Sequence, residues 1–205
     1  MYLNKTNAVY EVLEGDTNNL EDIYIRYSKA FPENERKSLE QLKKLMITGD
    51  YKLLLLKEAQ KGEINGYAFV YIINDQKTLW LDYIVIQEGY KGKGVGSEFF
   101  NKILKYFGKE YIGMFMEVEM PDGNDINQER RLNYYKKLGA SIVSMEYKLP
   151  TNDGGFEMYL MYQSINNMIL TKNHIMGSIK KVYEVIHSDI NDTEALYQQV
   201  INTIG

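Results

Sequence analysis

The sequence predicts an α/β (α+β) fold of about seven strands flanked by four helices, with a helical extension at the C-terminal end. Three observations carry this. Strand-length apolar runs and stretches at helical spacing follow one another as βααβββαβαββ over residues 8–163. A glycine-rich stretch, Lys91-Gly92-Lys93-Gly94-Val95-Gly96-Ser97, joins the apolar run Leu79–Ile86 to a helix-like Glu98–Phe107. From Ser164 to Gly205 the apolar residues recur only at helical spacing.

The elements follow in order. Ala8–Leu13 alternates enough for a first strand, and Asn18 or Asn19 caps a helix that Pro32 ends after Phe31. Ser38 opens a second helix, Leu39–Thr48, with Leu42, Leu45 and Met46 on its apolar face and Gly49 at its stop. Tyr51–Glu58 and Ile64–Ile73 read as a hairpin across Ala59-Gln60-Lys61-Gly62, and Asn74-Asp75-Gln76-Lys77 turns into Leu79–Ile86. The third helix faces Phe99, Ile103, Leu104 and Phe107 inward. Ile112–Met120 is the next strand, and a fourth helix runs from about Asn127 to Leu138. Ala140–Leu149 and Phe156–Tyr162 close the sheet as a hairpin. In the tail, Ile175, Ile179, Val182, Tyr183 and Ile186 form one helical stripe and Leu196, Val200 and Ile204 a second, with a helix start near Asn191–Glu194. The boundaries expected are a domain over 1–163 and an extension over 164–205, packed on the sheet edge or serving as a dimer contact or lid.

Composition narrows the function. With 205 residues, 44% hydrophobic and 13% aromatic, the chain buries a sizeable core. Twenty-four Lys and Arg against 28 Asp and Glu give a net charge of −4, which argues against nucleic acid as a principal partner. The absence of cysteine excludes disulfides, thiolate metal sites and a cysteine nucleophile, and no metal is expected. The N-terminus lacks a basic start followed by an apolar core, and no apolar run approaches membrane-spanning length. The expectation is a cytoplasmic protein with no membrane partner. His174 and His187 fall in the tail and read as surface residues.

A strand, a glycine-rich turn and a helix in that order place backbone N–H groups at a helix N-terminus, where the macrodipole favours an anion. The spacing is neither the G-x-x-x-x-G-K-[ST] of a P-loop nor the G-x-G-x-x-G of a dinucleotide site. Downstream, Leu132-Asn133-Tyr134-Tyr135-Lys136-Lys137-Leu138-Gly139-Ala140 sets Leu132, Tyr135 and Leu138 on one helix face, with Gly139 as C-cap. The two motifs leave room for one strand between them.

In this order and spacing they resemble the GNAT acyl-CoA N-acyltransferases. The glycine stretch is similar to that family's pyrophosphate loop, with Gly94 and Gly96 at its glycine positions and Lys91 where arginine or glutamine is usual. The later helix resembles the family's aromatic-Tyr-x-Lys-Leu-Gly pattern. The resemblance covers residues 8–163 and implies a three-layer fold around a mixed, mostly antiparallel sheet. It implies acetyl-CoA as co-substrate, held by Lys91, Gly92, Lys93, Gly94, Val95, Gly96 and Ser97. Main-chain groups of Ile84, Val85 and Ile86 would meet the pantetheine arm and thioester, with Tyr135 near the sulfur as general acid. A phenol of pKa about 10 can donate to a developing thiolate, although Tyr135 also lies on its helix's buried face.

Other residues stay open between chemistry and structure. Glu117 and Glu119 project to one face of their strand, and Asp82 shares parity with Ile84 and Ile86. These three are a base, an anionic collar for a cationic amine, or a solvated face. Phe31, Glu35 and Arg36 lie where family members shape the acceptor pocket. Arg130 and Arg131 could reach a CoA phosphate, an acceptor carboxylate, or only solvent. The function expected is acetyl transfer from acetyl-CoA to a primary amine, on a small molecule or peptide, by direct attack in a ternary complex. The alternatives are a longer acyl group, or a non-catalytic acyl-CoA-binding module with a protein partner. A homodimer is an assembly that the resemblance implies.

Overall fold

The computed structural model describes residues 8–205. Its strands are β1 (Tyr10–Gly15), β2 (Tyr51–Glu58), β3 (Ile64–Ile73), β4 (Thr78–Ile86), β5 (Gly113–Glu119), β6 (Ser141–Ile142), β7 (Tyr147–Leu149) and β8 (Phe156–Ser164). The helices are α1 (Thr17–Ala30), α2 (Leu39–Ile47), α3 (Val95–Phe107), α4 (Ile126–Lys137), α5 (Lys172–Val185) and α6 (Thr193–Ile201). The strands form a mixed sheet in the order β1-β2-β3-β4-β5-β8-β6, with β7 also on β8. β4 and β5 are parallel, whereas β1–β2 and β5–β8 are antiparallel.

The residues divide into two compact units, and β3 and β4 contribute to both. The first holds 8–70 and 83–106. Its core joins Leu20, Ile23 and Tyr27 of α1, Leu42 of α2, Leu53–Leu56 of β2 and Phe99, Phe100 and Ile103 of α3. An aromatic group runs through it: Tyr27 meets Phe69 edge-on at 5.9 Å and Tyr83 at 4.9 Å, and Tyr51 stacks on Phe69 at 5.7 Å. Helix α1 is capped by Asp16, not by Asn18 or Asn19. The Asp16 carboxylate accepts from both of their backbone N–H groups, and the Asn19 side chain accepts from the Asp16 N–H. Asp16→Ala is expected to lower stability by about 1 kcal/mol, read as a shift in the urea midpoint with unchanged slope. Ser38 caps α2 as the sequence predicts, with Gln41 completing the box.

The second unit holds 71–82 and 107–205. The stretch read as one strand, Ala140–Leu149, is two short strands, which raises the count to eight. The reason lies in its middle peptides. Ser144 gives its carbonyl to the Gly205 N–H at 3.0 Å, and the Glu146 N–H donates to Thr203 Oγ1 at 2.9 Å. These groups serve the tail and leave the ladder with β8. The tail's two stripes are buried as their spacing predicts, from Ile175 to Ile186 and from Leu196 to Ile204. Thr78 of β4 and Ser178 of α5 share a buried hydrogen bond of 2.7 Å. A Cβ on Gly177 would lie 2.3 Å from the Gln76 side chain, so α5 approaches the β3–β4 turn at glycine distance. The histidines are half-buried rather than surface residues: His174 completes the α5 capping box with Thr171, and His187 meets the Tyr183 ring edge-on.

Candidate active site

In the first unit, the helix after the glycine stretch begins at Val95, three residues earlier than its apolar pattern suggests. Val95, Gly96 and Ser97 therefore form the opening turn of α3, and its first internal bond runs from the Glu98 N–H to the Gly94 carbonyl at 3.0 Å. The N–H groups ahead of that bond have no carbonyl partner within the helix. Gly92 and Gly94 have φ of +72° and +82°, and a Cβ at either would meet no atom within 4 Å. Glycine is thus needed there for backbone conformation and not for close packing. The resulting shelf of N–H groups, open on its outer side, fits a pyrophosphate. Its two lysines hold only local partners: Lys91 pairs with Glu88 at 2.7 Å, both well exposed, and Lys93 donates to the Gly89 carbonyl at 2.7 Å. Exposed pairs of this kind contribute little and exchange readily.

The end of β4 carries Ile84, Val85 and Ile86, all half-buried. β3 holds this stretch tightly. A Cβ on Gly66 would fall 2.7 Å from Ile86 Cδ1 and 2.9 Å from the Val85 carbonyl oxygen, so the strands close only around a glycine. The Gln87 N–H continues the contact to the Asn65 carbonyl at 2.9 Å. The ladder between β4 and β5 comprises four pairs, Thr78↔Gly113 to Leu81↔Met116.

Phe31, Glu35 and Arg36 are brought together by the connection between α1 and α2. Phe31 packs edge-on against Tyr83 at 4.9 Å, and the Tyr83 hydroxyl donates to the Glu35 carbonyl at 2.8 Å. Arg36 donates to the Ser28 carbonyl at 2.8 Å, capping the last turn of α1. The Lys37 ammonium sits 5.0 Å from the centre of the Tyr83 ring.

In the second unit, register settles the facing of the acidic residues. Trp80 pairs with Phe115 and Glu119 with Met158, which in turn pairs with Tyr147. Trp80, Asp82, Glu117, Glu119 and Tyr147 therefore share one face. The carboxylates differ in what holds them. Glu119 Oε2 accepts from Arg131 Nε at 2.6 Å and is ion-paired with the same guanidinium's Nη2. Glu117 accepts from the Tyr147 hydroxyl on Oε1 and from the Trp80 indole N–H on Oε2 at 3.4 Å. Asp82 is half-buried.

Tyr135 lies one helical turn after Arg131 on α4, beside Tyr134 at 5.1 Å. Burial raises the Tyr135 hydroxyl well above the usual phenol range. The neighbouring Tyr134 adds to this, and the Arg131 charge opposes it. Burial likewise pushes Tyr134 up to about 12. Tyr135 is therefore a neutral hydrogen-bond donor at any physiological pH. Leu138 N–H bonds to the Tyr134 and Tyr135 carbonyls, and Gly139, at φ +95°, turns the chain out of α4 as its sequence position predicts.

The chain belongs to the acetyltransferase (GNAT) family, whose model matches residues 18–140. It is 25% identical over 169 residues to YjbC of Bacillus subtilis (strain 168), a protein assigned as an acetyltransferase, across 80% of this chain and 81% of that one. A GNAT-family protein from Bacteroides thetaiotaomicron shares the fold with a TM-score of 0.71 at 16% identity, covering 86% of this chain and 97% of its own. Arabidopsis thaliana NAA60, solved with acetyl-CoA, has a TM-score of 0.60 at 15% identity, over 78% of this chain and all of its own. The enzyme class follows: an acyl-CoA-dependent N-acyltransferase. Among the described residues, no helix is long and apolar enough to cross a membrane.

Four features of the site escaped the sequence reading. Gly66 stood inside an apolar run with nothing to mark its close contact. Trp80 shares strand parity with Asp82, a usable signal. The pairing of Arg131 with Glu119 and the reach of Tyr147 to Glu117 have none, because both depend on tertiary register.

Proposed function

We propose that the protein transfers an acetyl group from acetyl-CoA to a primary amine, by direct attack of the amine on the thioester. One observation carries this reading: left-handed Gly92 and Gly94 open onto the N-terminus of α3 directly after β4, inside the stretch matched by the family. Residues 91–97 hold the pyrophosphate through backbone N–H groups, with Lys91 and Lys93 released toward its charge. The main chain of Ile84, Val85 and Ile86 lines the pantetheine arm. The bound thioester supplies the acyl group and the leaving sulfur. Tyr135 donates its phenolic proton to that sulfur as the C–S bond breaks. Carboxylates on the Glu117 face favour a cationic acceptor, and Phe31, Glu35 and Arg36 contact it. The chain has no cysteine to carry the acyl group between steps, which supports the ternary complex.

Thiol release from acetyl-CoA, followed across polyamines, amino acids, aminoglycosides and peptide N-termini, tests this reading. Turnover with at least one amine is expected. Saturable CoA binding without turnover across the whole panel would favour a binding module. Gly94→Ala is expected to weaken CoA at least tenfold by titration calorimetry. Its direct cost to the fold is about 1–2 kcal/mol of left-handed strain, because its Cβ enters open space.

A further inference from the structure

In the first unit, the shelf at residues 91–97 is reached through a short run of main chain, residues 85–90. That run leans on the opening residues of β3. The Gln87 N–H donates to the Asn65 carbonyl at 2.9 Å, and Val85 and Ile86 close over Gly66, where no Cβ would fit. Tyr90 ends the short turn Glu88–Tyr90 that precedes Lys91, and its hydroxyl donates to Glu63 Oε2 at 3.3 Å. The centre of its ring lies 5.8 Å from the Lys93 ammonium. Whatever fixes residues 63–66 therefore fixes the approach to Gly92 and Gly94.

What fixes them is polar and buried. Asn65, at 0% exposure, donates from Nδ2 to Oε2 of Glu58 at 3.3 Å, and Glu58, the last residue of β2, is itself 4% exposed. Lys61 of the hairpin turn brings the countercharge to 3.1 Å from Glu58 Oε1. The Glu58 N–H closes the turn on the Glu63 carbonyl at 2.9 Å, and Arg26 of α1 donates to the Ile64 carbonyl at 3.0 Å. Stability alone does not ask for this arrangement. A carboxylate buried to this degree costs free energy that an apolar side chain would not. The Asn65 amide also keeps Oδ1 buried with no protein partner among the described residues. The pair does supply direction: a hydrogen bond constrains angle as well as distance, whereas apolar contact constrains neither closely.

We propose that Glu58 and Asn65 are positioning residues for coenzyme A. They hold the start of β3 so that residues 85–90 present the glycine shelf in its binding conformation. The proposal rests on the reading of residues 91–97 as the pyrophosphate site. Neither side chain needs to touch the ligand, because the link runs through the Asn65 carbonyl, Gly66 and Glu63. The effect therefore falls on CoA affinity and on KM for acetyl-CoA, and leaves kcat alone. Apparent affinity scales with the fraction of molecules whose loop is correctly held. The β2–β3 hairpin, remote in sequence from the glycine stretch, thereby becomes part of the CoA site.

Hydrogen exchange and CoA titration on the same full chains test this. Asn65→Ala is expected to speed amide exchange at residues 85–97 while α1 and α2 keep wild-type protection. Its CoA dissociation constant should rise about tenfold, the result of a loop correctly held in about a tenth of the molecules. At saturating acetyl-CoA, kcat should stay within about twofold of wild type, a split that general loss of folding would not give. Glu58→Ala should behave alike, and Glu58→Gln, whose amide oxygen still accepts from Asn65 Nδ2, should recover most of the lost affinity. The pair Glu58→Ala with Asn65→Ala should bind CoA no more weakly than Asn65→Ala alone, because the two side chains act in series. Tyr90→Phe removes only a partly exposed hydroxyl, and its lost bond to Glu63 should weaken CoA about threefold. Wild-type exchange at residues 85–97, or CoA affinity within about twofold of wild type, would overturn the positioning claim and leave the CoA reading intact. Asn65→Ala decides this or, should that chain not fold, Tyr90→Phe, by its exchange or by an affinity equal to wild type. A wild-type chain that binds no CoA would overturn the CoA reading, and this proposal with it.

Discussion

Replacing Tyr135 with phenylalanine is expected to lower kcat by about 100-fold and to leave CoA affinity within about twofold of wild type. The size follows from what general acid catalysis contributes, about 10²–10⁴ in rate. The split between kcat and affinity follows from geometry. Phenylalanine keeps the ring in its half-buried place on α4 and deletes only the hydroxyl, so the shelf at residues 91–97 is untouched. Burial raises the ionisation of Tyr135 above the usual phenol range, so the hydroxyl stays protonated and available for the proposed donation. Steady-state kinetics with both substrates varied, together with CoA titration, checks the result. A Tyr135→Phe enzyme at full activity would remove the acid role.

The second large effect concerns stability. Gly113→Ala is expected to destabilise the protein by about 3 kcal/mol, the upper range for overpacking a core. That is about 6–12 °C in Tm for a chain of this length. A Cβ at this position would lie 2.2 Å from both Cζ and Oη of Tyr162. The ring has nowhere cheap to go. Its hydroxyl donates to the Ile112 carbonyl at 2.8 Å and its ring lies 4.9 Å from that of Phe115, its partner across the β5–β8 ladder. Displacing it breaks a buried hydrogen bond as well as the packing. A second change, Tyr162→Leu in the Gly113→Ala background, should recover part of the loss by clearing the ring. Thermal unfolding of the four proteins in this cycle checks both statements, and a Gly113→Ala protein that melts with wild type would contradict them.

Much of this architecture was legible in the sequence because it depends on local rules. β2 and β3 run over the residues that their apolar patterns mark, and both tail helices bury the stripes that their spacing predicts. The Ser38 cap and the Gly139 turn were equally plain, since each is a short-range hydrogen-bond or dihedral requirement. What failed was non-local or ambiguous at short range. Four polar residues in a row, Asp16, Thr17, Asn18 and Asn19, offer several possible caps, and only the backbone geometry selects Asp16. The split of residues 140–149 depends on Thr203 and Gly205, about sixty residues away. The candidate site divides in the same way. The glycine stretch and Tyr135 are motif-borne, but the partners that distinguish Glu117 from Glu119 come from other strands and helices.

The division of the chain has a consequence for the order in which the molecule assembles during synthesis. The first unit is complete once residue 106 has been made, whereas the second needs pieces from both ends of a long interval, 71–82 and 107–205. Thr78 waits 100 residues for the hydroxyl of Ser178, and Trp80 waits until β7 supplies the Tyr147 ring. A nascent chain therefore carries the β4 segment with one unit formed and the other pending, and contacts of such long sequence separation form late and slowly. The contact of α5 with β4 is therefore among those that close only after most of the chain has been made.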